Sequence, residues 1–192
     1  MTPQRLFLAV VALTVPSLVG AGDARTDQQD AWAALAAGGH VALMRHALAP
    51  GTGDPLDFDV DDCESQRNLS DEGRVQAKAI GVRFRANGID TARVYSSRWC
   101  RCLETARLLG LGDVTPVDAL NSFFRDLQQE PERTAAALAL IGSEGAFAGE
   151  QPLVLVTHQV NITALTGVFP ASGEIVVVKP IANGIEVVGR IR

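Results

Sequence analysis

Two of the three histidines in this 192-residue chain stand beside residues that bind oxyanions. Arg45-His46 is one such segment and Thr157-His158 is another; Ser96-Ser97 with Arg98 and Arg101 forms a third. Guanidinium groups match the oxygens of a tetrahedral anion through paired hydrogen bonds. A neutral imidazole is a nucleophile near neutral pH. Brought into one crevice, these side chains make an anion site whose natural occupant is a phosphoryl group. Taken singly, each histidine reads as a core residue satisfied by hydrogen bonds, so the chemistry depends on convergence.

The surrounding elements predict that convergence. His40 to Met44, residues 92 to 95 and Leu153 to Val156 are compact apolar runs, read as strands, and each ends where one of the three segments begins. Helices are expected at Asp30 to Ala37, at Arg98 to Leu109, at Thr134 to Ile141 and near Asn161 to Leu165. Another starts at an N-cap Ser70 and runs to Gly88, with Val75, Ala79, Val82 and Phe84 as its apolar face. Val114 to Val117 is a short strand, and Ile175 to Lys179 with Ile185 to Ile191 form a hairpin about Asn183-Gly184. Residues 47 to 68, rich in Gly, Pro and Asp, form a long loop. Alternating strands and helices imply an α/β domain with a mostly parallel central sheet flanked by helices. Ligands gather outside the carboxyl ends of such strands, where the three segments lie.

Residues 1–21 combine Arg5, an apolar run from Leu6 to Val19 and the small residues Gly20-Ala21, and read as a secretory signal peptide. The run is short for a membrane span and Pro16 interrupts it, so no span is expected after cleavage. Residues 22–38 would then be a polar lead-in and first helix, and residues 39–192 the functional domain. Periplasmic or secreted residence follows, with an oxidising milieu in which Cys63, Cys100 and Cys102 can pair. On a helix from 98 to 110, Cys102 shares a face with Thr105, Ala106 and Leu109, while Cys100 lies with Glu104 and Arg107. A loop cysteine at 63 meets Cys100 more easily, and Cys63–Cys100 is the disulfide candidate; three unpaired thiols are the alternative. The net charge of −5 provides no global basic field for nucleic acid.

Four segments resemble, in order, the motifs of the histidine phosphatase superfamily, the phosphoglycerate-mutase-like proteins. They are Met44-Arg45-His46; Leu69-Ser70-Asp71-Glu72-Gly73 with Gln76-Ala77; Tyr95-Ser96-Ser97 through Arg101 to Glu104-Thr105-Ala106; and Val154-Leu155-Val156-Thr157-His158. They span residues 40 to 167 and are most similar to the short bacterial phosphohistidine phosphatases and exported relatives. The resemblance implies a three-layer sandwich and a phosphatase needing no metal or other cofactor. His46 would be the nucleophile, Arg45 and Arg101 would hold the phosphoryl oxygens, and His158 would assist as a cation beside the dianion. Arg67 stands where the short enzymes also carry an arginine, and Ser97 is a further candidate for substrate contact.

Two departures matter. The glycine that usually follows the Arg-His pair is Ala47, and Ser122 stands where many members place a glutamic acid that protonates the leaving group. Asp118, Asp126 and Glu130 are alternatives that spacing does not separate. The missing acid keeps a phosphate-binding protein without turnover in view, and makes a phosphomutase the weaker enzymatic alternative. The partner implied is a small phosphorylated substrate; an envelope sugar phosphate, a phosphorylated peptide and a scavenged organic phosphate all fit. A cysteine-based phosphatase fails because Cys63 to Arg67 is too tight and Cys100-Arg101 is adjacent. A metal pair of His40 and His46 fails because six residues of strand separate them by about 20 Å.

Overall fold

A computed structural model describes residues 21–145 and 151–192, so the expected signal segment lies outside the described residues apart from Ala21. Five helices and six strands alternate: α1 (Ala21–Ala36), β1 (Val41–Arg45), α2 (Asp71–Ala86), β2 (Arg93–Ser96), α3 (Cys100–Leu109), β3 (Val114–Pro116), α4 (Glu130–Gly145), β4 (Leu153–Thr157), α5 (Gln159–Thr166), β5 (Ile175–Ile181) and β6 (Gly184–Ile191). The strand order is β3-β2-β4-β1-β5-β6. β3, β2, β4 and β1 are parallel, and β5 and β6 close one edge as the expected antiparallel hairpin.

The central strands are apolar on both faces because both faces are covered. Ala42, Met44, Val94, Val154, Val156 and Val177 meet α1, α2 and α3 through Trp32, Leu35, Phe84, Ala106 and Leu109. Val41, Leu43, Leu153, Leu155, Val176 and Val178 meet Ile141 of α4 and Ile162 of α5. This is the three-layer sandwich. The strict odd-even alternation of these two sets follows from the two-residue repeat of a strand.

The structure corrects three local readings. α1 already covers Ala21 to Asp30, where no helix is expected before Asp30, so the polar lead-in is itself helical. α4 extends beyond Thr134–Ile141 at both ends. The buried face of α2 is Gly73, Ala77, Ile80, Gly81 and Phe84, whereas Val75 and Val82 are exposed. α2 packs through small residues. A Cβ on Gly81 would lie 2.1 Å from the Leu109 carbonyl oxygen, and one on Gly73 would lie 2.0 Å from that of Leu48. Only glycine permits these backbones to touch, and the second contact pins the segment that follows His46.

Candidate active site

His46 leaves the carboxyl end of β1 in the middle of the sheet. Its backbone N–H donates to Thr157 O (3.0 Å), and that of Arg45 donates to Glu174 O (3.0 Å), so main-chain bonds to two sides hold the pair. The His46 ring is buried, and its Nδ1 lies 2.7 Å from the Ala47 carbonyl. A carbonyl only accepts, so Nδ1 carries the proton and Nε2 keeps its lone pair. Burial first, then the charge of Arg101, push the His46 pKa down from 6.5 to about 3. The ring is a neutral nucleophile.

The motif residues around it hold the turn. Ala47 N–H donates to Thr105 Oγ1 (3.0 Å), Leu48 N–H to Gln76 Oε1 (2.9 Å), and Gln76 Nε2 to Ser172 O (2.8 Å). Glu104 pairs with Arg74 across α2 and α3 at 2.7 Å. Ala47, where the resemblance expects a glycine, is unstrained, because no non-glycine among the described residues has a positive φ.

His158 leaves the neighbouring parallel strand β4 at the same level, with Arg45 opposite Thr157 in register. The two imidazole centroids are 5.6 Å apart. His158 Nδ1 is 3.4 Å from Arg101 Nη2, a donor, so Nδ1 accepts and Nε2–H points to Ser97 Oγ at 2.9 Å. Ser97 passes the bond to Asn121 Oδ1 (3.2 Å). Ser97 is fully buried behind His158 and does not line the cavity, and its hydroxyl orients the ring. Burial and then Arg101 hold the His158 pKa well below 6.5. Its own surroundings keep it neutral; the cationic form expected beside a phosphoryl dianion requires that dianion's charge.

Arg45, Arg67 and Arg101 line the same cavity as the two histidines. Burial and the charge of Arg101 lower the pKa of both Arg45 and Arg67, the signature of cations crowded together. Arg67 donates from Nε to Gly53 O (2.6 Å) and from Nη1 to Ala49 O (2.5 Å), bracing the long loop while lining the cavity. Arg45 Nη1 donates to Pro170 O (2.9 Å). The Nε–H groups of Arg45 and Arg101 are buried with no acceptor among the described residues. Three guanidinium groups lining one cavity favour an anion in it.

Sequence reasoning misses one member of the site. Asp54 accepts from Arg101 Nη1 (2.7 Å) and Nη2 (3.1 Å), from Trp99 Nε1 (3.1 Å) and from the Arg67 backbone (3.2 Å). Burial favours its neutral form, but the bonds and charge of Arg101 outweigh that, and its pKa falls below the usual carboxylate value. Five aspartates crowd residues 54 to 62, and only the tertiary contact singles this one out. Of the alternative acids, Asp126 lines the cavity at an exposed position with its oxygens accepting from Gln128 N–H and Gln129 Nε2; Asp118 and Glu130 do not line it. Cys63 and Cys100 form a disulfide, tying the long loop to the start of α3, and Cys102 is a buried free thiol.

The histidine shift has a measurable consequence. Between 6.5 and about 3 the unfolded chain binds a proton that folded His46 refuses, so stability falls as pH drops through that window and is fully present above it. The expected slope from His46 alone is about 1.4 kcal/mol per pH unit in the middle of that window, with His158 acting in the same direction. Urea unfolding at pH 7 and pH 4.5 checks this: a His46→Asn variant should lose less stability on acidification than the wild type. Parallel pH dependences would remove the assignment of a buried neutral His46.

A family model described as the histidine phosphatase superfamily (branch 1) matches residues 41–124. The mitochondrial serine/threonine-protein phosphatase Pgam5 of Drosophila virilis is 39% identical over 70 residues, 36% of this chain. The match spans only 22% of that relative's length. SixA from Agrobacterium tumefaciens aligns with a TM-score of 0.56 at 20% identity, covering 80% of this chain and 97% of that one. Bacillus stearothermophilus YhfR aligns with a TM-score of 0.56 at 17% identity, covering 78% and 95%. At these identities the structural likeness speaks for the fold alone.

Proposed function

We propose that this protein acts as a histidine phosphatase, the superfamily whose model matches residues 41–124, and hydrolyses a phosphomonoester, or a phosphorylated side chain, outside the cytoplasm through a phosphohistidine on His46. One observation supports the reading most: the neutral imidazole of His46 lines one cavity with His158 and with the guanidinium groups of Arg45, Arg67 and Arg101. Nε2 attacks phosphorus, the bond to the leaving oxygen breaks, and that oxygen departs with the electron pair. Arg45 and Arg101 supply donors to the non-bridging oxygens as charge spreads over them, and positioning and charge stabilisation are most of what phosphoryl transfer needs. Water then attacks phosphorus, the P–N bond breaks, and its electrons return to Nε2. Support for residence outside the cytoplasm comes from the Cys63–Cys100 disulfide, a bond that persists in oxidising compartments.

The test is to incubate the purified protein with 4-nitrophenyl phosphate, measure released phosphate, quench, and map the adduct by mass spectrometry. The expected result is turnover with an acid-labile, base-stable phosphate on His46. A phosphate on another residue would overturn the nucleophile. Binding of inorganic phosphate without turnover or adduct across a broad substrate panel would establish a binding protein instead.

A further inference from the structure

The cavity is about 380 Å³, far larger than a phosphoryl group, and the space beyond the cationic floor is bordered by Phe58, Trp99 and Phe124. In-line transfer puts the leaving oxygen on the side of phosphorus away from His46, so these rings flank the leaving group. They continue the imidazole pair as one aromatic wall: Trp99 lies 5.4 Å edge-to-face from His158, and Phe58 lies 5.5 Å from Trp99. The wall is held rigid. Trp99 Nε1 donates to Asp54, and the Arg125 guanidinium sits 5.7 Å over the Phe58 ring. Phe124, from the other loop bordering the cavity, approaches Gly53 and is half exposed.

Among the described residues, the cavity sets no free carboxylic acid against an alkoxide, and a His158 made cationic by the dianion is engaged with the phosphoryl oxygens. Asp54 is held ionised by Arg101, Asp126 spends its oxygens on Gln128 and Gln129, and the His158 proton points back to Ser97. An alcohol leaving group needs protonation as the bond breaks, a step for which general acids contribute about 10²- to 10⁴-fold. A phenol leaves as a stabilised phenolate without that help. A sugar ring can also stack on aromatic side chains, but its alkoxide departs about 10²- to 10⁴-fold more slowly without a general acid, so the two observations together favour one class.

We propose that the substrate is the phosphate ester of a phenol, with its ring held by Phe58, Trp99 and Phe124 and its phenolate oxygen departing unprotonated. This rests on the phosphate site as read above. The P–O bond breaks with its electron pair on the phenolate, which takes a proton from bulk water after release.

Calorimetric titration with phenylphosphonate and methylphosphonate tests ring recognition without needing turnover. Wild type should bind phenylphosphonate about 30-fold more tightly, the worth of burying one ring. Phe124→Ala, an exposed substitution that spares the core, should erase several-fold of that preference and leave methylphosphonate affinity unchanged. Equal affinities for the two phosphonates would overturn the proposal. In steady-state assays, rates across substituted phenyl phosphates should fall steeply as the phenol becomes more basic. Glucose 6-phosphate and phosphoserine should be at least about 100-fold slower than phenyl phosphate; comparable rates would overturn the proposal as well. A phenyl preference with neither turnover nor a His46 adduct would refute hydrolysis alone and uphold the ring site.

Discussion

Arg101→Met is expected to lower kcat/KM by about a thousandfold or more and to destabilise the fold in the same step. The first effect follows from geometry. Arg101 is almost fully buried, sits in the cavity with both histidines, and keeps one Nε–H without an acceptor. A donor aimed at developing charge in a dry site is worth far more than one in water. The second effect follows from Asp54. Its carboxylate is as buried as its partner, with side-chain exposures of 6% and 3%, so removing the guanidinium strands a charge at a cost of about 3–5 kcal/mol. The double variant Arg101→Met, Asp54→Leu separates the two roles. Replacing both partners with apolar groups should restore most of the stability, as measured by urea unfolding, while activity stays lost. Recovery of activity in the double variant, or near-normal activity in the single one, would mean that Arg101 is not a phosphoryl ligand.

Breaking the disulfide should have the next largest effect. Cys63 and Cys100 close 37 residues of sequence separation, and a loop of that size is worth about 4 kcal/mol in restricted unfolded-state entropy. Cys63→Ser with Cys100→Ser should therefore lose stability on that order. The loss reaches the site, because the closed segment carries Asp54, Phe58 and Arg67, and the far end of the bond is next to Arg101. KM should rise more than kcat falls, since the sheet-borne His46 and His158 stay in place. Reductant should lower the melting temperature of the wild type and leave the double serine variant unchanged. Equal responses from the two proteins would exclude this role for the bond.

What the sequence discloses and what it hides divide along physical lines. The continuous apolar strands announce a sheet covered on both faces, and the placement of Arg45, His46 and His158 at strand ends follows from that sheet. Local signals also suffice at Ser70, whose Oγ accepts from Gly73 N–H and starts α2. The packing face of α2 is hidden because hydrophobicity does not choose it. Close approach at Gly73 and Gly81 does, which leaves Val75 and Val82 in solvent. Asp54 is hidden because its identity as a ligand of Arg101 exists only across 47 residues of chain. Ser97 was legible as a site residue but not by role, since nothing local says whether its hydroxyl faces an anion or the back of a histidine.

The parallel pairing of β1 with β4 works as a ruler. Because Arg45 lies opposite Thr157, the distance between the two imidazoles is inherited from the strand spacing of a sheet, and no loop has to reproduce it. Loops bordering the cavity are free of that duty. Apart from Asp54 and Asn121, which brace Arg101 and Ser97, segments 50–62 and 121–129 can change length and lining from one descendant to the next, and the histidine pair would travel unaltered beneath them.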